Sequence, residues 1–400
     1  MVKIAVLGYG TIGSGVVEVL EKNRDVITRR AGEEIEVKYI LDLRDFPEDP
    51  YADRIVHDYE EICQDPEISV VVEAMGGVEP AFTFAKKAIL AGRHFATSNK
   101  ALIAKHGAEL IAMAQEKSVN CLFGASVGGG IPIIRPLNCC LTADVIEEIS
   151  GILNGTTNYM MTKMADEGSD FDDVLKDAQQ KGFAEADPTA DIEGHDACRK
   201  IAILTSLVCG RQIDFEDIHT EGITKITATD FKYAKAMGRR IRLLGSSYKT
   251  GDSYCAMVAP YMLDDSSPLY GVNGVFNAVF VRGNMLGDAM FYGSGAGKLP
   301  TASAVVADVI DIVRHKDEHI PLEWRPEKLE LVDYRQLTGR YFVRTTAQPA
   351  AIEKAFGMVT VVEAEGVTGE TAFVTGEMDG YAYEQAAEQM GDILQCIRVK

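Results

Sequence analysis

The sequence predicts an α/β protein: a doubly wound parallel sheet at its N-terminal end, an α+β section after it, and a small βαββαβ unit at its C-terminal end. Three observations predict this. The first section alternates short, nearly all-apolar runs with amphipathic helical stretches, the pattern of parallel strands covered on both faces. The middle section mixes strand-like and long helical runs without regular alternation. The last stretch reads strand, helix, strand, strand, helix, strand, which is the ferredoxin-like order.

Taken in order, residues 2–7 (VKIAVL) read as a buried strand, followed by a glycine turn and a helix to about residue 30. Further strands are expected at 37–41, 69–74 (SVVVEA) and 94–98, with helices at 79–91 and 101–117. The turn is GYGTIG, which sets Gly8, Gly10 and Gly13 between the first strand and its helix. The first glycine allows the tight turn, the second lets a pyrophosphate approach the backbone, and the third lets strand and helix pack closely. In this context the motif is a Rossmann dinucleotide fingerprint, with Thr11 and Ile12 opening the helix whose amides face the phosphates. Closing the second expected strand, Asp42 suits the ribose 2′-hydroxyl of NAD, while Arg44 suits the 2′-phosphate of NADP. The two cues conflict, with a slight lean to NADP.

In the middle section, strands are expected at 147–153, 255–262 and 277–282, and helices at 171–181 and 196–209. A helix at 302–314 precedes a charged stretch with Pro321 and Pro326, which reads as a linker. The final unit is expected as strand 341–345, helix 349–356, strands 358–363 and 371–375, helix 383–390 and strand 394–399. The boundaries that follow are a first domain at 1–136, a second at 137–316, a linker at 317–337 and a third domain at 338–400. A length of 400 residues accords with two or three domains.

Composition narrows the function. Lys and Arg total 40 against 60 Asp and Glu, a formal charge of −20. That field repels phosphate backbones and anionic membrane surfaces, so neither nucleic acid nor membrane is an expected partner. An anionic cofactor needs backbone amides to hold it, which the glycine turn supplies. The eight cysteines include no CxxC pair and no histidine spaced to complete a zinc site, and the adjacent Cys139 and Cys140 read as plain thiols. No apolar run reaches the roughly 20 residues needed to cross a bilayer, and the first residues run straight into a strand with no basic leader. A cytoplasmic protein is expected.

The densest chemistry lies at 182–200, GFAEADPTADIEGHDACRK. Asp196 and Lys200 stand four apart at the start of an apolar helix, hence on one face. A lysine among apolar neighbours has its pKa drawn toward the working pH and can serve as a proton donor. Spacing alone equally permits a helix N-terminus dressed with acids and an ordinary surface pair. His195 reads as a loop histidine, because no serine or cysteine at a recognisable elbow partners it.

Six segments then match a known family in its own order: GYGTIG, SNKALIA at 98–104, ASVGGGIPII at 125–134, GILNGTTNYM at 151–160, GFAEADPTADIEGHDACRK, and GSGAGKLPTASAVVADV at 293–309. From end to end the chain resembles homoserine dehydrogenase. The resemblance implies NAD(P)-dependent interconversion of L-homoserine and L-aspartate 4-semialdehyde, a step toward threonine, methionine and isoleucine. It implies that Lys200 gives the proton to the carbonyl oxygen with Asp196 orienting it, that Lys100 sits where cofactor and substrate meet, that Glu185 and Asp191 bind the amino acid, and that Thr156 lines the pocket. Cofactor contacts are implied for Gly8, Gly10, Thr11, Ile12, Gly13, Arg44, Ser98, Lys100 and Gly297, the last on a segment, 293–315, that rejoins the first domain. A homodimer or homotetramer is also implied.

Two departures stand out. Family members bind a monovalent cation, typically sodium, near ASVGGGI with a glutamate just before it; that place is Gly124 here. Only backbone carbonyls of Val127, Gly129 and Ile131 remain for the cation, so weak or absent binding is expected. The C-terminal unit resembles the ACT domain through which longer members sense threonine, but its first turn is AQPAAI at 347–352, without the usual glycine. A scaffold or dimerisation role with impaired effector binding is expected. Among rivals, aspartate-semialdehyde dehydrogenase needs a thiolate nucleophile, and no cysteine lies in such a segment. A non-catalytic nucleotide sensor would not need Lys100, Glu185, Asp191, Asp196 and Lys200 together.

Overall fold

Strand β1 (Val2–Leu7) is the centre of a six-stranded sheet completed by β2 (Ile35–Leu41), β3 (Ile55–Val56), β4 (Ile68–Glu73), β5 (His94–Thr97) and β6 (Cys121–Leu122). Its order is β3-β2-β1-β4-β5-β6, and every pair is parallel. This is the Rossmann order, in which the chain reverses direction of winding between β1 and β4 and leaves a crevice beyond their C-terminal ends. Ile4, Val6, Val70 and Val72 are buried, which is why these strands are continuous apolar runs; each such side chain contributes roughly 1.5–3 kcal/mol on burial.

The computed structural model describes residues 1–400. They form two units: Met1–Val145 with Ala202–Phe215 and Gly293–Leu329, and Ile146–Ile201 with Glu216–Tyr292 and Glu330–Lys400. In the first unit the Lys298–Arg314 helix packs against the Thr11–Lys22 helix. The approach is so close that a Cβ on Gly15 would stand 2.9 Å from that of Ala302.

Much of the stretch expected to be a linker is pinned to this unit. The Asn120 amide donates to the carbonyls of His315 and Glu318 (3.0 Å each) and accepts from Ile320 N (2.7 Å). Trp324 is 3% exposed, packs edge-on to Phe123 and donates to Gln212 Oε1 at 3.1 Å. One buried indole outweighs the solubility of the charges around it.

The second unit is built on β7 (Ile146–Ile152), β8 (Arg240–Thr250), β9 (Ser253–Leu263), β10 (Phe276–Gly283) and β11 (Gly287–Ser294), then β12 (Thr338–Thr345), β13 (Thr360–Val362), β14 (Thr371–Val374) and β15 (Ile393–Val399). These form one sheet in the order β11-β10-β7-β8-β9-β15-β12-β14-β13. Strand β8, absent from the sequence reading, pairs antiparallel with β9 from Arg240↔Leu263 to Thr250↔Ser253.

The last four strands, with helices Pro349–Phe356 and Gly380–Met390, have the expected βαββαβ order and the ferredoxin-like sheet. They are not set apart as a third body. Strand β15 joins β9 in parallel through Tyr261↔Arg398 and Met262↔Val399, so the two sheets are one. No helix in the structure is long and apolar enough to cross a membrane.

Candidate functional site

The glycine turn has the geometry its sequence implies. Gly8 adopts φ +93°, the left-handed region that favours glycine. A Cβ on Gly13 would stand 1.8 Å from the Gly8 carbonyl oxygen, so strand and helix meet here only through glycine. Nothing lies within 4 Å of a Cβ position on Gly10, which leaves that face of the turn open. Gly10 caps the helix without a side-chain hydrogen bond, and the first helical amides, at Thr11, Ile12 and Gly13, are of the kind that have no partner within a helix.

A cavity of about 550 Å³ adjoins the turn, lined by Gly8, Gly10, Asp42, Arg44, Met75 and Gly76 among others. Asp42 accepts from Tyr9 N (2.8 Å) and takes both Nε (3.0 Å) and Nη2 (3.1 Å) of Arg44. The Arg44 guanidinium holds the Asp42 carboxyl down at about 2. With its side chain 63% exposed, Arg44 projects at the rim of the cavity. These features fit a nicotinamide dinucleotide.

Glu73, at the end of β4, was not anticipated. Fully buried, it accepts from Met75 N (2.8 Å) and Gly76 N (3.2 Å), from the Thr97 hydroxyl, and from Asn99 Nδ2 (3.4 Å). Asn99 in turn caps the Lys100–Glu116 helix by accepting from Leu102 N (3.1 Å). One carboxylate therefore ties the loop that floors the cavity to the Ser98–Asn99–Lys100 segment. Lys100 begins its helix half-buried, and Gly297 (φ +116°) caps the returning Lys298–Arg314 helix in the same unit.

In the second unit, Asp196 and Lys200 share one helix face as their spacing implied, and Asp191 from the preceding turn stands beside them. The Lys200 ammonium donates to Asp196 Oδ2 (2.8 Å) and to the Leu153 carbonyl (2.6 Å), with 9% and 6% of the two side chains exposed. The surface-pair reading of this i,i+4 spacing is therefore excluded. Asn154 Nδ2 donates both to Asp191 Oδ1 (2.7 Å) and to Asp196 Oδ2 (2.9 Å). Burial pushes the Asp191 carboxyl above its ordinary range, opposed by the Asn154 and Thr156 hydrogen bonds and reinforced by the Asp196 charge. The Thr156 hydroxyl also donates to the Phe183 carbonyl at 2.6 Å. Glu185 is exposed and joins none of these hydrogen bonds, and His195 is likewise exposed.

At Gly124 the backbone amide donates to Asp308 Oδ2 (2.7 Å), and a Cβ would stand 2.6 Å from Asp308 Oδ1. Burial raises the Asp308 carboxyl to about 7. Of the carbonyls at Val127, Gly129 and Ile131, that of Ile131 already accepts from Ile133 N at 2.9 Å. The side chain at position 124 supplies no ligand, and the Asp308 carboxyl that faces it is drawn toward its neutral form.

A glycine turn opening onto a dinucleotide-sized cavity in a Rossmann sheet defines a nicotinamide-dinucleotide-binding protein, the class to which dehydrogenases belong. Comparison with known proteins narrows the class. Residues 8–124 match the family model "Homoserine dehydrogenase, NAD binding domain", and residues 132–310 match "Homoserine dehydrogenase". The homoserine dehydrogenase of Pseudomonas aeruginosa is 40% identical over 381 residues, 92% of this chain and 87% of that protein. The Lactococcus lactis enzyme is 38% identical over 98% of this chain and 90% of its own length. The crystal structure of a homoserine dehydrogenase from Thiobacillus denitrificans superimposes with a TM-score of 0.92 at 35% identity, covering 100% of this chain and 98% of that one. The chain belongs to the homoserine dehydrogenase family. Its activity is the nicotinamide-dependent interconversion of L-homoserine and L-aspartate 4-semialdehyde, and the resemblance read from its motifs is borne out.

Proposed function

We propose that Lys200 is the proton donor and acceptor of this reaction, and the observation that carries it is the ammonium held between Leu153 O and Asp196 Oδ2 in a buried site. Bound nicotinamide dinucleotide supplies or accepts the hydride. As an aldehyde carbon gains hydride its oxygen gains charge, and the Lys200 ammonium stabilises that charge and transfers a proton to it. In the reverse direction the neutral amine takes the hydroxyl proton. Asp196 orients the lysine and keeps its charged form accessible, and Asp191 receives the substrate ammonium. Glu185, from the exposed loop, meets substrate as a second carboxylate, Thr156 lines the pocket, and Lys100 binds where nicotinamide and substrate meet. In Lys200→Met, kcat for homoserine oxidation should fall 10²–10⁴-fold with cofactor affinity unchanged; a fall under threefold would refute the assignment.

For the cofactor, Arg44 at the cavity rim favours NADP over NAD, and a hyperthermophilic archaeal homoserine dehydrogenase in complex with NADPH, 29% identical with a TM-score of 0.67, is among the structural neighbours. The pairing of Gly124 with Asp308 supports catalysis without a specific alkali cation; matched NaCl and KCl titrations at fixed ionic strength should coincide. The ferredoxin-like segment acts as an ACT-like scaffold, and threonine should not inhibit. Exposed Phe276, Met290 and Tyr292 on β10 and β11 favour assembly as a homodimer or homotetramer, and the eight free cysteines favour a cytoplasmic setting.

A further inference from the structure

The turn from β7 into the Gly155–Glu167 helix does more than line a pocket. Its Leu153 carbonyl holds Lys200, and the next side chain, Asn154, is 6% exposed with both ends of its amide engaged. Oδ1 accepts from Thr157 N (2.9 Å), capping the helix, while Nδ2 reaches Asp191 and Asp196. That orientation is fixed by chemistry: the flipped amide would set its oxygen against two carboxylates and its NH₂ against a backbone N–H. One neutral side chain thus spans a half-buried and a buried acid with different partners, since Asp196 Oδ2 also takes Lys200.

We propose that Asn154 is a positioning residue that divides the acidic pair, holding Asp196 to the lysine and leaving Asp191 ionised for the substrate ammonium. The inference rests on the role assigned above to Lys200. Two carboxylates within hydrogen-bond reach of one nitrogen repel each other and favour taking up a proton, and the amide's two N–H groups oppose this. The groups facing Asp191 are Asp196 and Lys200 from the His195–Cys209 helix and Asn154 and Thr156 from the turn. Removing the amide leaves Asp196 to push Asp191 further toward its neutral form, with Lys200 and Thr156 still opposing.

The test separates the fork from the cap. Serine and aspartate both cap helices well, so Asn154→Ser and Asn154→Asp keep the bond to Thr157 N, while aspartate has no donor for the acids and the shorter serine, with one O–H, cannot donate to both. In Asn154→Ser the acid limb of the kcat/KM profile for homoserine should move up by about one pH unit, with cofactor Kd and thermal midpoint near wild type. Asn154→Asp, which adds a third carboxylate, should lose at least about 100-fold in kcat/KM at pH 7 and move the acid limb up further. Wild-type acid limbs in both variants would overturn the inference. Lys200→Met tells the two failures apart: if it collapses the rate while the Asn154 variants behave as wild type, only the fork is wrong; if it retains full rate, the proton relay and the fork fall together.

Discussion

Replacing Asp308 by asparagine should change how the stability of the first unit depends on pH. The carboxyl is buried, accepts one hydrogen bond from Gly124 N, and is raised to about 7 from 3.8 in the unfolded chain. Because the folded value is the higher one, the folded state holds the extra proton, and the resulting stability is fully present below about pH 4 and lost as pH rises through 7. Each unit is about 1.4 kcal/mol, so the full span is about 4 kcal/mol and the part lost between pH 5 and pH 8 is about 3 kcal/mol. Asparagine keeps the shape and the acceptor without titrating. The thermal midpoint of wild type minus that of Asp308→Asn should therefore fall from pH 5 to pH 8 by roughly 6–12 °C for a unit of this size. Taking the difference cancels other titrating groups. A difference that stays constant across this range would refute the reasoning, because Asp308 would then keep one protonation state throughout.

Other outcomes follow from the same geometry. Gly13→Ala drives a methyl into the Gly8 carbonyl and should weaken nicotinamide binding at least about tenfold by calorimetry, with little effect on the second unit. Arg44→Ala should raise KM for NADP well above its effect on KM for NAD, and equal effects would remove the 2′-phosphate assignment. Trp324→Ala empties a site packed on Phe123 and Gly107 and should destabilise the first unit by about 3–5 kcal/mol in urea unfolding. Arg344→Met strands Asp230, which is fully buried, and Glu370, and should destabilise the second unit by about 3–5 kcal/mol at neutral pH, with part of the loss recovered in acid.

The parallel strands were legible because burial on both faces leaves nothing but apolar residues to read. Strand β8 was not: RIRLLGSSYKT carries Arg242, which is buried only because Asn273 Oδ1 (2.6 Å) and the Tyr270 carbonyl (3.3 Å) receive its guanidinium. The Asp196–Lys200 pair was visible as spacing, since helical geometry is local. Asn154 and Glu73 were invisible for the opposite reason. Their partners across the fold lie 37 and 42 positions away for Asn154, and 24 and 26 for Glu73, while the local bonds they make, to Thr157 N and to Met75 N and Gly76 N, mark an ordinary cap and turn rather than a hub. The linker reading failed at Trp324, where charge and proline content outvoted a single aromatic whose burial depends on Gly107 from a distant helix.

The joining of β15 to β9 has a mechanical consequence. Main-chain ladders run unbroken from β15 through β9 and β8 to β7, and β7 ends one residue before Leu153. The carbonyl on which Lys200 hangs therefore stands one residue beyond a sheet whose far strands belong to the C-terminal segment. Cutting the chain before β12 would do more than delete a lobe: it would bare the Tyr261–Met262 end of β9, where Met262 O now takes Lys400 N at 3.0 Å, and leave that end open to pairing with another chain.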